Sequence, residues 1–276
     1  MNKINKVVSI VVNYKRTGET LKAIDSLKNQ KGKFNHRIIV VDNDSRDDSV
    51  RKLRSLKNIN LIENYKNIGF AAANNQGIKV ALKNNADYVF LLNDDAWLDN
   101  DCINKLITSD KNIVSPKIYF APGFEYHKKK YEKTDLGKII WYAGGKIDWN
   151  NIYASHIGVD MVDNGQFNKL KETDFATGCV MLIKTKVFQK IGLFDEKYFM
   201  YWEDVDFCEK AKRKKLTVFY DGFARAWHKN LGTQPGIVSK EKEKQMTKSR
   251  LRFGLKFASL KTKALLLKDF SSKLFS

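Results

Sequence analysis

The sequence predicts an α/β fold: a doubly wound, mixed and mostly parallel sheet with helices on both faces, plus a basic helical extension at the C-terminus. Three observations predict it. The chain has 276 residues, 43% of them hydrophobic, enough for one large domain or two small ones with a buried core. Its first half alternates strand-like and helix-like segments, the pattern of a parallel sheet covered on both faces. Its last 40 residues are strongly basic.

The first half contains four predicted strands and three predicted helices. Each strand is a short apolar run, and the segments between them carry apolar residues at helical spacing, such as Leu21, Ile24 and Leu27. The strands are Val7–Val12, Arg37–Val41, Leu61–Ile62 and Tyr88–Leu92, and the helices are Thr17–Gln30, Asp47–Lys57 and Ala72–Asn84. Ligands of such sheets bind beyond the carboxyl ends of the strands, so the residues after each strand are site candidates.

The second half is less regular, and residues 116–170 show no clear period. Beyond them the sequence predicts a strand at Val180–Ile183, a helix at Lys186–Ile191, a helix ending near Lys214, and short strands at Leu216–Tyr220 and Ala224–Trp227. No internal repeat or Pro-rich linker divides the chain, which has only three prolines.

Acidic side chains follow two of the predicted strands. Asp42 and Asp44 come after the second strand, and Asp94 and Asp95 after the fourth. At one edge of the sheet these carboxylates would repel one another and any nucleotide phosphate. A divalent cation resolves that conflict, because Mg²⁺ and Mn²⁺ prefer oxygen ligands.

The overall charge indicates an anionic partner. Fifty Lys+Arg against 31 Asp+Glu give +19 and a pI near 9.6, which suits nucleic acid, an anionic membrane or a phosphorylated substrate. A basic nucleic-acid-binding protein without enzymatic activity is the alternative function. It predicts no acidic cluster at the strand ends, so we expect no nucleic-acid partner.

Cysteine usage and hydropathy indicate the compartment. Cys102, Cys179 and Cys208 are odd in number and far apart, which argues against a disulfide framework or a thiolate zinc site and favours the cytoplasm. No run approaches the roughly 18–20 apolar residues of a membrane span, and Val7–Val12 is too short for a signal peptide. We expect a cytoplasmic protein, at the inner face of the cell membrane if its tail binds lipid.

That tail comprises residues 237–276, whose 11 basic and 3 acidic side chains contribute +8 of the +19. From Lys248 onward a helical stripe of apolar residues runs beside a basic one. The apolar stripe is Phe253, Phe257, Leu260, Ala264 and Leu267, and the basic stripe is Lys248, Arg252, Lys256 and Lys263. A basic amphipathic helix over residues 248–276 could lie on an anionic membrane. A helix packed on the main domain with a solvated lysine face, or a partner contact, is the alternative.

Six short motifs occur in order between Val7 and Gly232. They are Val11-Val12-Asn13-Tyr14; Val41-Asp42-Asn43; Asn67-Ile68-Gly69-Phe70-Ala71 with Asn74-Asn75; Leu92-Asn93-Asp94-Asp95; Thr177-Gly178-Cys179; and Tyr201-Trp202-Glu203-Asp204-Val205-Asp206 followed by His228. Each alone is weak. Together they resemble the inverting GT-A type glycosyltransferases of family 2, closest to the rhamnosyltransferase-like branch of bacterial surface polysaccharide biosynthesis. The resemblance implies a GT-A domain over residues 1–236, with a nucleotide-binding half over about 7–115, an acceptor-facing half over 116–232, and the extension beyond.

The resemblance also implies roles by position. Nucleotide-sugar binding falls to Asn13, Tyr14, Asp42, Asn67, Gly69, Asn74, Asn93 and Asp94. Tyr14 and Asp42 would hold the base of the nucleotide, and Asp94 would face the ribose or the sugar. The family's metal motif is usually Asp-x-Asp, and here its first position is Asn93. Asp95 and His228 would bind Mn²⁺ or Mg²⁺.

The catalytic base implied by the resemblance is Asp204, with Thr177, Gly178, Trp202 and Glu203 on the acceptor side. A cation stabilises the leaving diphosphate, and a carboxylate on the opposite side takes the proton of the attacking hydroxyl. Repulsion from Glu203 and Asp206 is expected to raise the pKa of Asp204.

Each motif also has a structural interpretation. The segment after the fourth strand could be a polar turn, the acidic residues around Asp204 suit a helix N-terminus, and His228 could be an ordinary buried histidine.

The expected function is metal-dependent transfer of one sugar, with inversion, from a nucleoside diphosphate donor to a saccharide hydroxyl. dTDP-rhamnose and UDP-sugars are the expected donors, and the acceptor could be lipid-linked. The chain lacks the membrane spans and the Gln-x-x-Arg-Trp motif of processive synthases. The sugar, the acceptor and the linkage stay open.

Overall fold

The computed structural model describes residues 4–127, 130–231 and 240–274, with side chains up to residue 269. Within these ranges the chain forms a ten-stranded mixed sheet and a two-stranded sheet, with helices packed against them. The α/β architecture predicted from the sequence is confirmed.

The first half follows the predicted alternation as far as Asn93, and the three elements after that residue were not predicted from the sequence. Its elements are β1 (Asn5–Asn13), α1 (Thr17–Lys28), β2 (Phe34–Asp42), α2 (Ser49–Arg54), β3 (Ile59–Glu63), α3 (Phe70–Lys83), β4 (Tyr88–Asn93), β5 (Ala96–Leu98), α4 (Cys102–Thr108) and β6 (Ile113–Phe120). The predicted helix Asp47–Lys57 is shorter in the structure, where only Ser49–Arg54 is helical.

The second half contains strands that the sequence did not predict. Its elements are β7 (Ile140–Tyr142), β8 (Gly145–Asp148), β9 (Tyr153–His156), β10 (Leu170–Glu172), β11 (Val180–Lys184), α5 (Thr185–Ile191), α6 (Glu203–Arg213), β12 (Val218–His228), α7 (Lys240–Phe257) and α8 (Leu260–Leu274), with a short 3-10 helix at Lys133–Asp135. The two short strands predicted before His228 form one strand, β12, whose register shifts between Asp221 and Arg225.

The large sheet has the order β10-β12-β6-β11-β4-β1-β2-β3, with β5 on β12 and β7 on β6. Strands β4, β1, β2 and β3 are parallel, β11 runs antiparallel between β4 and β6, and β12 is parallel to β6. Asn13 lies opposite Asp42, and Val12 opposite Asn93. The carboxyl ends of β1, β2 and β4 therefore meet at one edge, where ligands of such sheets bind.

The centre of the sheet is buried on both faces. Every residue from Val7 to Val11 is buried, as is every residue from Tyr88 to Leu92, and α1 and α3 contact β1. A parallel strand covered on both faces reads as a continuous apolar run, which is why these strands were evident in the sequence. The predicted boundary between residues 115 and 116 falls inside β6, so both halves share one sheet.

The C-terminal helices α7 and α8 pack as a hairpin on the domain. Phe253 is fully buried, with its ring 5.6 Å from that of Trp149 and 4.9 Å from that of Trp202. The predicted apolar stripe breaks between α7 and α8, and Leu260 is 85% exposed. Its first part therefore faces the domain. The predicted boundaries at Gly232, 236 and 237 lie outside the described residues, and no helix in the described ranges is apolar for a length that could cross a bilayer.

Candidate active site

The ends of several strands are joined by backbone hydrogen bonds at one edge of the sheet. The Asn43 amide donates to the Asn13 carbonyl at 2.8 Å, and the Asn93 amide donates to the Cys179 carbonyl at 2.8 Å. Cys179 precedes β11, so this link ties the end of β4 to the turn at Thr177. The motif residues after β1, β2 and β4 are thus neighbours in space.

Asp42 is buried at this edge, and neighbouring residues hold its carboxylate by hydrogen bonds. Its carboxylate accepts hydrogen bonds from Asn13 Nδ2 at 2.6 Å, from Ser45 Oγ at 2.7 Å and from the Ser45 amide at 3.1 Å. Asn13 in turn accepts from Thr20 at 2.6 Å. Tyr14, by contrast, is 40% exposed. Asn13 and Asp42 form the buried, hydrogen-bonded base of this edge, which we call the floor, and the ring of Tyr14 lies at the surface. Contact of these residues with a nucleotide stays a prediction.

Asn43 organises the loop before α3. Its Nδ2 donates to Asn67 Oδ1 at 2.8 Å, and its Oδ1 accepts from the Ile68 amide at 3.1 Å. Gly69 adopts φ +85°, and a Cβ there would lie 2.4 Å from the carbonyl oxygen of Phe199. This loop is therefore pressed against the segment that leads to α6, which only glycine permits.

Asn74 lies inside α3, one turn after the Gly69 loop. It is buried, and its side chain donates to the carbonyl of Phe70 at 3.0 Å. In this structure it supports the first turn of α3. Its predicted contact with the donor is untested.

Asp95 and His228 are brought together from positions 133 residues apart. His228 Nε2 lies 2.9 Å from Asp95 Oδ1, and both side chains are buried. Asp95 Oδ2 accepts from the Leu231 amide at 2.9 Å and from Arg16 at 3.5 Å. Burial alone raises the pKa of Asp95, but the charge and hydrogen bond of His228, the Leu231 amide and Arg16 together hold it well below the usual range.

Asp94 has the opposite electrostatic environment. Burial and the charge of Asp95 raise the pKa of Asp94 to about 7, against the opposing charge of Arg16. Arg16 Nη1 lies 3.9 Å from the Asp94 carboxylate and so contacts both acids. Arg16 was not predicted as a site residue, although a cation that follows a strand end at an acidic edge is a signal for one.

The metal-ligand atoms available here suit a divalent cation whose remaining ligands come from the substrate. Asp95 and His228 would supply one oxygen and one nitrogen ligand, and Asn93 Oδ1 is a buried oxygen that has no hydrogen-bond partner within the described residues. Over the same ranges no group of three or more His, Cys, Asp or Glu converges as in a closed metal site. Mg²⁺ and Mn²⁺ commonly bind through one or two carboxylates plus substrate phosphates. The residues therefore fit such an ion.

Asp204 opens α6 and faces the turn before β11. Its Oδ2 accepts from the Gly178 amide and its Oδ1 from the Val205 amide, both at 2.8 Å. Burial raises the pKa of Asp204 despite these hydrogen bonds. The neighbouring Glu203 is buried, and burial together with the charge of Asp204 raises its pKa strongly.

The expected cause of the raised pKa at Asp204 is thus corrected. Burial is the largest cause, not repulsion by neighbouring acids. Asp206 was expected to add to that repulsion, but Lys256 lies 2.5 Å and Lys210 3.6 Å from its carboxylate and offset its charge.

The Thr177–Cys179 turn links the end of β4 to α6, because the Cys179 carbonyl accepts from the Asn93 amide and the Gly178 amide donates to Asp204. Burial is the main reason why the pKa of the Cys179 thiol is raised, and the charges of Asp95, Asp204 and Asp94 add to it. Trp202, two residues before Asp204, is buried, and its backbone adopts φ +73°.

Comparison with known proteins identifies the family. The family model described as "Glycosyl transferase family 2" matches residues 9–192, two thirds of the chain. The chain belongs to glycosyl transferase family 2.

Two curated proteins resemble this family 2 chain. It is 29% identical over 214 residues to the low-salt glycan biosynthesis hexosyltransferase Agl10 of Haloferax volcanii, covering 76% of this chain and 62% of that protein. It is 26% identical over 206 residues to the dTDP-rhamnosyl transferase RfbF of Shigella flexneri, covering 74% of this chain and 62% of that protein. In each case the match spans less than two thirds of the relative's length.

Solved structures share the fold. GalNAc-T7, crystallised with UDP, GalNAc and Mn²⁺, superposes with a TM-score of 0.68 at 14% identity, covering 92% of this chain and 48% of that one. TarS of S. aureus gives a TM-score of 0.53 at 15% identity, covering 98% of this chain and 44% of that one. The predicted GT-A-like architecture is confirmed by these likenesses, which concern the fold alone.

Proposed function

We propose that this protein is a metal-dependent, inverting glycosyltransferase that moves one sugar from a nucleoside diphosphate donor to a saccharide hydroxyl. The observation that carries the proposal is the meeting of Asp95 with His228 at 2.9 Å, beside the turn whose Gly178 amide holds Asp204. Membership of family 2, the activities named for its two curated relatives, and the UDP and Mn²⁺ bound by a GT-A neighbour support it.

Donor binding would use the edge formed by β1, β2 and the Gly69 loop. The half-exposed ring of Tyr14 packs against the nucleotide base, above the floor formed by Asn13 and Asp42. Asp95 and His228 would hold Mn²⁺ or Mg²⁺, which when bound offsets the charge that develops on the leaving diphosphate. Arg16, 35% exposed and next to both acids, adds positive charge on the same side.

Asp204 acts as the general base. Both of its oxygens accept a backbone hydrogen bond, which fixes the carboxylate while leaving lone pairs for the acceptor hydroxyl. Its raised pKa makes it a stronger base than an ordinary aspartate. A single base acting opposite the leaving group gives inversion at the anomeric carbon. Thr177, Gly178, Trp202 and Glu203 border this side.

The donor is proposed to be dTDP-rhamnose or a UDP-sugar, used in building a cell-surface polysaccharide, because the two relatives are named as a hexosyltransferase and a dTDP-rhamnosyl transferase. The test is a thermal-shift and turnover screen of UDP-, dTDP- and GDP-sugars with Mn²⁺, Mg²⁺ or EDTA. One donor should stabilise the protein only with metal and be turned over. Binding of every donor unaffected by EDTA would contradict the metal dependence.

The nucleic-acid-binding alternative is less well supported. It predicts no acidic cluster at the strand ends, whereas Asp42 ends β2 and Asp94 and Asp95 directly follow β4. A salt-dependent gel shift with DNA, together with no donor binding, would favour it.

The proposal extends to the tail. On α8 the second part of the predicted stripe remains at the surface: Leu260 is 85% and Leu267 48% exposed. Lys263 and Lys268 flank it at helical spacing. We propose that this face contacts an anionic membrane at the cytoplasmic side, where a lipid-linked acceptor would be presented.

A further inference from the structure

The inward face of α7 contacts the segment that carries Asp204. Lys256 Nζ lies 2.5 Å from Asp206 Oδ2 and 3.4 Å from Asp195 Oδ2. Asp206 is fully buried, two residues after Asp204 on the first turn of α6. A buried carboxylate is strongly destabilising unless it is paired, and Lys256 is the nearer of the two lysines that pair with Asp206. The sequence had placed Lys256 on a stripe available to a membrane.

The chain just before Asp204 is strained. Tyr201 and Trp202 adopt φ +69° and +73°, the left-handed region that bulky side chains rarely enter. Two such residues in succession persist only when the surroundings over-determine the conformation. Strain of this kind concentrates at functional sites.

α7 supplies three of those surrounding contacts from one face. Ser249 Oγ donates to the Met200 carbonyl at 3.2 Å, the Phe253 ring packs 4.9 Å from the Trp202 ring, and Lys256 pairs with Asp206. Positions 249, 253 and 256 are spaced i, i+4 and i+7, so they form one helical face.

Three parts of the chain contribute polar groups around Asp206. Tyr198 Oη, on the loop before α6, lies 3.3 Å from Oδ2, Lys210 on α6 lies 3.6 Å from Oδ1, and Lys256 comes from α7. Lys256 is the cation contributed by the C-terminal hairpin. Without it the buried carboxylate keeps Lys210, whose contact is longer.

We infer that Lys256 is a positioning residue for sugar transfer: by pairing with Asp206 it holds the Tyr201–Trp202 turn, so that Asp204 stays on the Gly178 amide. The inference rests on the proposed function, in which Asp204 is the base. It makes the C-terminal hairpin part of the working site, although none of its residues is required to touch substrate.

The test uses the full chain with a soluble acceptor. Lys256→Met should lower kcat about tenfold while KM for the donor changes less than about twofold, because small misplacement of a reacting group costs rate rather than binding. Lys256→Arg keeps the charge and should recover most of kcat. Lys244→Met is the matched control, because Lys244 is exposed on the same helix and the charge change is equal. Wild-type kcat in Lys256→Met would overturn the inference.

A readout independent of activity separates this inference from the proposed function. Amide hydrogen exchange over residues 198–205 should speed up several-fold in Lys256→Met and stay unchanged in Lys244→Met, because opening follows the loss of the Asp206 pair. If the wild type transfers no sugar from any donor, the proposed function fails, and the positioning of the turn is still decided by exchange. Unchanged exchange overturns it.

A second variant covers the case in which Lys256→Met does not fold. Ser249→Ala removes only the hydrogen bond to the Met200 carbonyl. It should keep the wild-type melting temperature within a few degrees, lower kcat about threefold and speed exchange at residues 198–205. Wild-type kcat and exchange in this folded variant would overturn the inference.

Discussion

Asp94 and Asp95 are adjacent in the chain, yet their surroundings drive their pKa values in opposite directions. Asp95 faces His228, Arg16 and the Leu231 amide, which favour its ionised form. Asp94 is buried beside that negative charge, which raises its pKa to about 7. Two acids in such environments take different roles. Asp95 is the one suited to hold a cation, and Asp94 the one suited to face a neutral sugar or ribose.

Asp95→Asn and His228→Ala should each weaken Mn²⁺-dependent binding of the donor about tenfold or more, since each removes a ligand to the ion. Isothermal titration with UDP or dTDP, with and without Mn²⁺, measures the effect. His127→Ala is the control, because the imidazole of His127 is 62% exposed. Metal titration unchanged from the wild type in both site variants would remove these two residues from the site.

Asp204→Asn should lower kcat about 10²–10⁴-fold, the usual contribution of a general base, and leave donor binding nearly intact. Asp25→Asn, exposed on α1, is the matched control. Retention of wild-type turnover in Asp204→Asn would exclude it as the base.

The pH dependence of the wild type follows from the same residue. The base works in its ionised form, and burial raises the pKa of Asp204. Activity should therefore rise with pH along an acid limb centred above the ordinary aspartate value of about 4. A kcat/KM profile measures it, and a limb at or below that value would contradict the raised pKa.

The loop before α3 and the segment before α6 are in direct contact. The Gly69 loop packs on the carbonyl of Phe199, and the Phe70 amide donates to the same oxygen at 2.7 Å. This contact joins the start of α3 to the segment before α6. The start of α3 and the segment that leads to Asp204 are thus held at a fixed separation by a contact at which a side chain cannot fit.

Gly69→Ala should therefore impair both stability and donor binding. Gly192 gives a matched control, because its backbone angles of φ +77° and ψ −170° are close to the φ +85° and ψ 169° of Gly69. A Cβ added at Gly192 would have no heavy atom within 4 Å. Gly192→Ala isolates the backbone strain, of about 1–3 kcal/mol. Gly69→Ala adds the clash and should cost more in chemical denaturation. Equal losses in the two variants would show that the contact is unimportant.

At the scale of the whole molecule, charge is segregated. Asp42, Asp94 and Asp95 lie at the carboxyl ends of β2 and β4, and the excess of lysine and arginine is greatest in the tail. The tail is divided again: the Phe253 face of α7 is buried on the domain, whereas the Leu260 face of α8 is exposed. The part of the predicted apolar stripe on α7 thus faces the domain, and the part on α8 faces solvent.

The exposed face should bind anionic vesicles. The double variant Leu260→Ser, Leu267→Ser should pellet with phosphatidylglycerol vesicles about tenfold less than the wild type, because two apolar side chains no longer enter the lipid. Phe223→Ser is the control, since Phe223 is 55% exposed elsewhere on the molecule. Pelleting of the double variant at the wild-type level would rule out this face as a membrane contact.

The α/β alternation, the strands β1, β2, β4 and β11, and the polar residues after β1, β2 and β4 could be predicted from the sequence, because they depend on local apolar period and on the edge at which parallel strands finish. The fully buried β6, beside β11, was not predicted. Other features depend on packing between distant segments and appeared only in the folded chain. Packing merged two predicted strands into β12, placed Arg16 between two acids, and divided the tail stripe between the domain and solvent. It also turned Lys256 inward onto Asp206. A helical pattern shows which residues share a face, whereas the partner of that face is determined by packing between segments far apart in the chain.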